Sequence, residues 1–252
     1  MTWGDKRRII ILSIVAGVLA LVIVGLTFAL FYKAPTCGDN KQNGKEEGID
    51  CGGGCAYLCS ASLASPSARF VRHFSPVPGR TDVIAYIDNP NTAAAKDVGY
   101  TIELYGRDGT VIARKEGITE LPPGTSPIYI PNVTSGTTPI ARAFLQFDES
   151  SIRWYAYPND TRLIPRYTFD AEITGETAPR VTATLTNPSA TTIREVTVVA
   201  TVFDQSGNAI AASQTVVPFI SAQGSAGVVF TWNEPFTSTP TRIDIVPLVP
   251  LP

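Results

Sequence analysis

No cysteine follows residue 59, and the whole 252-residue chain holds one histidine. The first absence leaves any long β-rich region without internal crosslinks, so its core must hold by packing alone. The second removes most proton-transfer and nucleophile-activating constellations. His73 sits in F70-V-R-H-F74, beside a proline-rich bend and away from any cysteine or serine motif. It is expected to be solvated or to cap a turn. No G-x-S-x-G, H-E-x-x-H or phosphate-loop pattern occurs, so nothing in the chain announces an enzyme. Charge is also sparse: 17% of residues, with a formal net charge of −2. The first eight residues carry +3 and −1, which leaves −4 for the rest. A basic nucleic-acid footprint is excluded.

Charge is missing altogether from Ile9 to Tyr32, a run of 24 residues. About 20 apolar residues cross a bilayer core as a helix. A cleaved signal peptide would have a shorter apolar region, roughly 7–15 residues, closing in an A-x-A-like site. This run ends F-A-L-F-Y-K-A-P-T-C instead. The expectation is an uncleaved signal anchor over residues 9–32 behind a cytoplasmic tail of residues 1–8. Lys6, Arg7 and Arg8 flank it on one side and Lys33 on the other. The positive-inside rule then keeps the N-terminus in the cytoplasm and everything after Lys33 outside. Ala16/Ala20 and Gly25/Ala29 recur at four-residue spacing, a pattern that suits helix pairing in a membrane.

All four cysteines, Cys37, Cys51, Cys55 and Cys59, lie in the next 27 residues, 33–59. Their spacing, C-x13-C-x3-C-x3-C, lacks the paired C-x2-C knuckles of a zinc ribbon and the C-x2-C of a thioredoxin-like site. Outside a membrane, paired cysteines oxidise, so two disulfides are expected, in any of three connectivities. Interleaved with them are Asp39, Asn43, Glu46, Glu47 and Asp50 among glycines. Two readings stand. Asp39, Asn43, Glu46 and Asp50 supply the oxygen ligands and flexible backbone that calcium uses. Alternatively, they are turn residues on the solvated face of a disulfide knot. The match of Cys37, Asp39, Asn43, Glu46, Gly48, Asp50, Cys51, Gly52, Gly53 and Cys55 resembles a short cysteine-rich motif of bacterial and archaeal surface proteins. Asn40 replaces its usual glycine, and Gly54 stands where proline is common.

Residues 60–68, S-A-S-L-A-S-P-S-A after Cys59, read as a linker. Beyond it one pattern occurs twice. Asn89 and Asn187 are 98 positions apart, as are Pro90 and Pro188, Val98 and Val196, Tyr105 and Phe203, and Gly109 and Gly207. Gly124/Gly224 and Arg142/Arg242 are 100 apart, which implies a two-residue insertion. Each copy alternates apolar and polar residues with period two, as at Val181, Ala183 and Leu185 against Thr182, Thr184 and Thr186. That is the signature of strands with one buried face. R107-D-G and Q205-S-G read as hairpin tips. The fold class expected is all-β: two tandem immunoglobulin-like sandwiches, residues 69–160 and 161–252, each of about seven strands, after a transmembrane helix and a small disulfide-rich segment.

I102-E-L-Y-G and A200-T-V-F-D, with Asn89 and Asn187 upstream and Gly109 and Gly207 downstream, resemble the FxLYD type of immunoglobulin-like domain. Both copies lack the leading Phe, and Gly106 replaces Asp in the first. The resemblance implies a structural module of envelope proteins, with no catalytic residues. The tract W154-Y-A-Y157 suits either a contact strip for sugar or protein or packing between the two domains. Asn132 and Asn159 begin N-x-[ST] sequons. Together these features point to a single-pass, non-enzymatic surface protein with a structural or adhesive role. Its expected partners are the membrane and an extracytoplasmic protein or envelope assembly. The alternative is an accessory or ligand-binding subunit of a transport, secretion or pilus complex.

Overall fold

The computed structural model describes residues 3–31, 37–157 and 165–251. It divides into two compact units, Met1–Cys55 and Ala56–Pro252.

In the first unit, helix α1 runs from Trp3 to Phe31. Its apolar stretch, Lys6–Leu30, covers 25 residues with none of its side chains buried. At 1.5 Å per residue it is about 37 Å long, more than the roughly 30 Å of a bilayer core. Apolar residues on every side rule out a one-sided core helix of a soluble protein. A hydroxyl in its C-terminal turns is satisfied internally: Thr27 Oγ1 donates to the Ile23 and Val24 carbonyls, both at 2.9 Å. The helix is long and apolar enough to span a membrane.

The second unit is all-β. Its first half has seven strands: β1 (Ser67–Val77), β2 (Arg80–Asn89), β3 (Ala93–Tyr105), β4 (Val111–Leu121), β5 (Gly124–Ser135), β6 (Arg142–Phe147) and β7 (Trp154–Ala156). They form two antiparallel sheets, β1-β2-β5 and β4-β3-β6, with β7 paired to the start of β3. The second half has six strands among the described residues, one fewer than expected: β8 (Arg166–Thr174), β9 (Arg180–Thr186), β10 (Ile193–Asp204), β11 (Ala209–Ile220), β12 (Ser225–Thr231) and β13 (Pro240–Leu248). Its sheets are β8-β9-β12 and β11-β10-β13.

The alternating pattern does what period two requires. Val181, Ala183 and Leu185 of β9 turn inward to meet Val196, Val198, Ala200 and Val202 of β10, while the intervening threonines stay outside. Val83, Ala85 and Ile87 of β2 face Val98, Ile102 and Leu104 of β3 in the same way. Each such side chain taken from water contributes roughly 1.5–3 kcal/mol.

The register between the halves also has a local account. Ala95 pairs with Leu121 and Val98 with Thr119, so β3 carries a bulge there. In the second half Ile193 pairs with Ile220 and Val196 with Val217, without a bulge. β11 has one more residue across this stretch than β4, and it fills the place opposite. The turn after Ile220 is one residue longer than the turn after Leu121, and beyond it Asn187 N–H donates to the Gly224 carbonyl, as Asn89 pairs with Gly124.

The two halves pack sheet against sheet. Phe70 and Phe74 of β1, Ile84 and Tyr86 of β2 and Tyr129 of β5 meet Val199 and Phe203 of β10, Ala209 and Ala212 of β11 and Leu248 of β13. Phe70 stacks on Tyr86 with centroids 4.8 Å apart, and the Phe203 ring stands edge-on to both at 6.2 Å. Near the C-terminus, Leu251 N–H donates to Glu120 Oε2 at 2.9 Å.

Residues 60–68 do not form a free linker. Leu58 and Leu63 pack against the first core, and Leu58 N–H donates to the Trp154 carbonyl at 2.7 Å. Asn91 exchanges two hydrogen bonds with the Ala64 main chain. Leu63 and the Asn91 hydrogen bonds dock the segment, which its small-residue composition conceals.

Candidate functional site

All four cysteines are disulfide-bonded, and none is free. Cys37 pairs with Cys55 across 18 residues, with Cα atoms 5.7 Å apart. The loop between them is built around glycine and carboxylate. Gly53 has φ +59°, and a Cβ there would lie 1.7 Å from the Lys45 carbonyl oxygen, so only glycine fits.

The acidic residues serve the backbone. Asp50 Oδ1 and Oδ2 accept the N–H groups of Asp39 and Asn40, at 3.0 and 2.9 Å. Asp39 Oδ1 accepts Lys41 N–H, and its Oδ2 accepts Asn43 Nδ2 at 2.9 Å. Glu46 Oε2 accepts Asn43 N–H at 3.0 Å. Asp39, Asn43, Glu46 and Asp50 are therefore linked in one network. They do not converge on one point. Among the described residues, the set of acidic and sulfur ligands within 4.8 Å of one another is Cys37, Glu46 and Cys55. Both sulfurs of that set are locked in the disulfide and offer no thiolate. Calcium wants six to eight oxygens; here the carboxylates are turned toward N–H groups. Asn43 Oδ1 is the buried oxygen of the loop with no hydrogen-bond partner.

The other sequence candidates fall into the scaffold. Trp154 is buried in the first core and not between the halves. Tyr155 forms an isolated bridge with Tyr57, and burial pushes its hydroxyl up to about 12. Trp154–Ala156 thus pairs with the start of β3, and Trp154 serves the first core. Asn159 lies outside the described residues. His73 is half-buried, and desolvation lowers its pKa; a hydrogen bond to the Ile140 backbone opposes this, and Arg72 reinforces it.

The repeated asparagines hold the strand turns. Asn89, 2% exposed, spreads its Nδ2 over the carbonyls of Ala93, Leu121 and Pro122 at 2.8, 3.2 and 3.1 Å. Asn187, fully buried, does the same with Thr191, Ile220 and Ser221 at 2.8, 3.1 and 3.0 Å. The hairpin tips also correspond. Asp204 caps its own turn, with Oδ1 accepting Ser206 and Asn208 N–H. In the first half Gly106 stands there, and Asp108 takes over by accepting Thr110 N–H and Oγ1–H. A Cβ at position 106 would sit 2.8 Å from that carboxylate.

Sequence reading missed Asp82. It is fully buried and accepts Arg80 Nε and Nη2, both at 2.7 Å, the Tyr129 hydroxyl, and Asn132 N–H at 2.8 Å. The available signal was Arg80 and Asp82 two apart on one strand face.

No protein-family profile matches the chain, and no curated protein does. Among solved structures, red sea bream transglutaminase aligns over 73% of this chain and 29% of its own, at 13% identity and a TM-score of 0.25. A beta-glucuronidase of glycoside hydrolase family 2 aligns over 62% of this chain and 20% of its own, at 11% identity and a TM-score of 0.20. The chain thus spans less than a third of either, and likeness at this level carries no inference about activity.

Proposed function

We propose that the chain is a membrane-anchored envelope protein that presents two immunoglobulin-like domains outside the cell, in a structural or adhesive role without catalysis. The observation that carries this is a fully oxidised set of cysteines directly after an apolar, membrane-long helix. Disulfides persist in oxidising compartments, and Lys6, Arg7 and Arg8 sit on the flank that the positive-inside rule keeps in the cytoplasm. We read the two sandwiches as a tandem duplication of an FxLYD-type module. The matching asparagine clamps and hairpin tips support that reading. We read the disulfide segment as a structural clip, because Asp39, Glu46 and Asp50 all accept hydrogen bonds from N–H groups of their own loop.

A second reading is an accessory subunit of a transport, secretion or pilus complex, paired through the small residues of α1. Purification of the full chain from its native membrane, after mild crosslinking, separates the two. Recovery with a stoichiometric multi-span partner favours the accessory subunit. Recovery alone, or with other surface proteins, supports the display role.

A further inference from the structure

We infer that Asn132 is an N-glycosylation site. The inference rests on the outward placement proposed above, and it adds a covalent modification to that reading.

The sequence requirement is met by N132-V-T134. What the structure adds is presentation. Asn132 lies on β5, an edge strand bonded only to β2. Between the pairs Thr81–Thr134 and Val83–Ile130 the β5 ladder is interrupted, with three residues opposite one. Asn132 occupies that bulge with φ +51°, the left-handed conformation that asparagine tolerates. Its backbone is held on both sides. Its N–H donates to the buried Asp82 carboxylate at 2.8 Å, and Lys115 Nζ donates to the Pro131 and Asn132 carbonyls at 2.7 and 3.3 Å. The residue itself is exposed, and its side-chain amide makes no hydrogen bond among the described residues. Most other asparagines contrast with it. Asn43, Asn89, Asn91, Asn187 and Asn208 all spend Nδ2 inside the fold. The one sequon among the described residues thus offers a free amide on a backbone pinned in place.

The co-reactant is a polyprenyl-phosphate-linked saccharide, used by a membrane transferase. Asn132 Nδ2 attacks the anomeric carbon of the first sugar. The bond from that carbon to the phosphate oxygen breaks, the lipid phosphate leaves with its electron pair, and one amide proton passes to a base of the transferase. The product is an N-glycosidic amide. A sugar at this bulge would also cover an open sheet edge, a place where β-proteins otherwise risk pairing with other chains.

The test is peptide and intact-mass spectrometry of the full chain purified from its native membrane, with the cysteine redox state read on the same sample by alkylation. The expected result is a saccharide mass on the Asn132 peptide, lost in Asn132→Gln and in Thr134→Ala but kept in Thr134→Ser. Retention in Thr134→Ser shows that losses do not stem from misfolding. An unmodified Asn132 peptide overturns the site. If the cysteines of that sample are oxidised, only the glycosylation inference falls; if they are free thiols, outward placement falls with it.

Discussion

Asn89 and Asn187 each serve three main-chain carbonyls with the two hydrogens of a single amide, from positions almost closed to solvent. Removing the donor leaves buried acceptors unpaired, which costs about 1–3 kcal/mol. Asn187→Ala is expected to destabilise by that amount. Asn187→Asp should do no better, since a carboxylate donates nothing. Urea denaturation of the full chain in detergent checks both, and an unchanged midpoint for either would count against the clamp. His73 gives a pH dependence of defined sign. Burial holds its pKa below the ordinary 6.5, so as pH falls the unfolded chain takes up the proton first. Stability is intact above about pH 6.5 and declines as pH drops toward the lowered folded value. A pH series on His73→Gln should lack that component.

At the scale of elements, the disulfide segment and the strands draw their order from different sources. The segment from Cys37 to Cys55 contributes no side chain to any buried hydrophobic cluster. A crosslink closing a loop of this size stabilises by roughly 3 kcal/mol through the unfolded state. Cys37→Ser with Cys55→Ser should therefore open residues 37–55 to proteolysis and leave the β-sandwich melting temperature unchanged. Calcium titration by calorimetry is expected to give no heat. Heat that vanishes in Asp39→Ala, Asp50→Ala would show that the carboxylates rearrange around an ion. The strands were legible in the sequence because period two maps directly onto two faces, as in β9. Asp204 and Asp108 were harder to see. The capping carboxylate stands two residues further along its turn in the first half than in the second, because a turn needs an acceptor at a place in space and not at a fixed sequence position. That Asp39, Asn43, Glu46 and Asp50 share one loop was visible in their spacing. The direction in which their oxygens turn was not, since that depends on where the backbone N–H groups end up.

For the whole molecule, the consequential contact is the one between sandwiches, and sequence said little about it. Phe70, Tyr86 and Phe203 look like ordinary strand residues until the two sheets meet. Phe203 is 2% exposed, and truncating such a ring costs about 3–5 kcal/mol. Phe203→Ala should split a single cooperative thermal transition of the β-region into two, as seen by calorimetry. One unsplit transition at the parent temperature would contradict a joint body. The apolar helix, the oxidised cysteines and the β-sandwiches acquire a common purpose only if the β-region lies outside the cell. Protease applied to intact cells carrying a C-terminal epitope tests this most directly. The account predicts that the epitope and both sandwiches are lost while a cytoplasmic marker survives. Full protection of the C-terminal sandwich until the membrane is broken would contradict it.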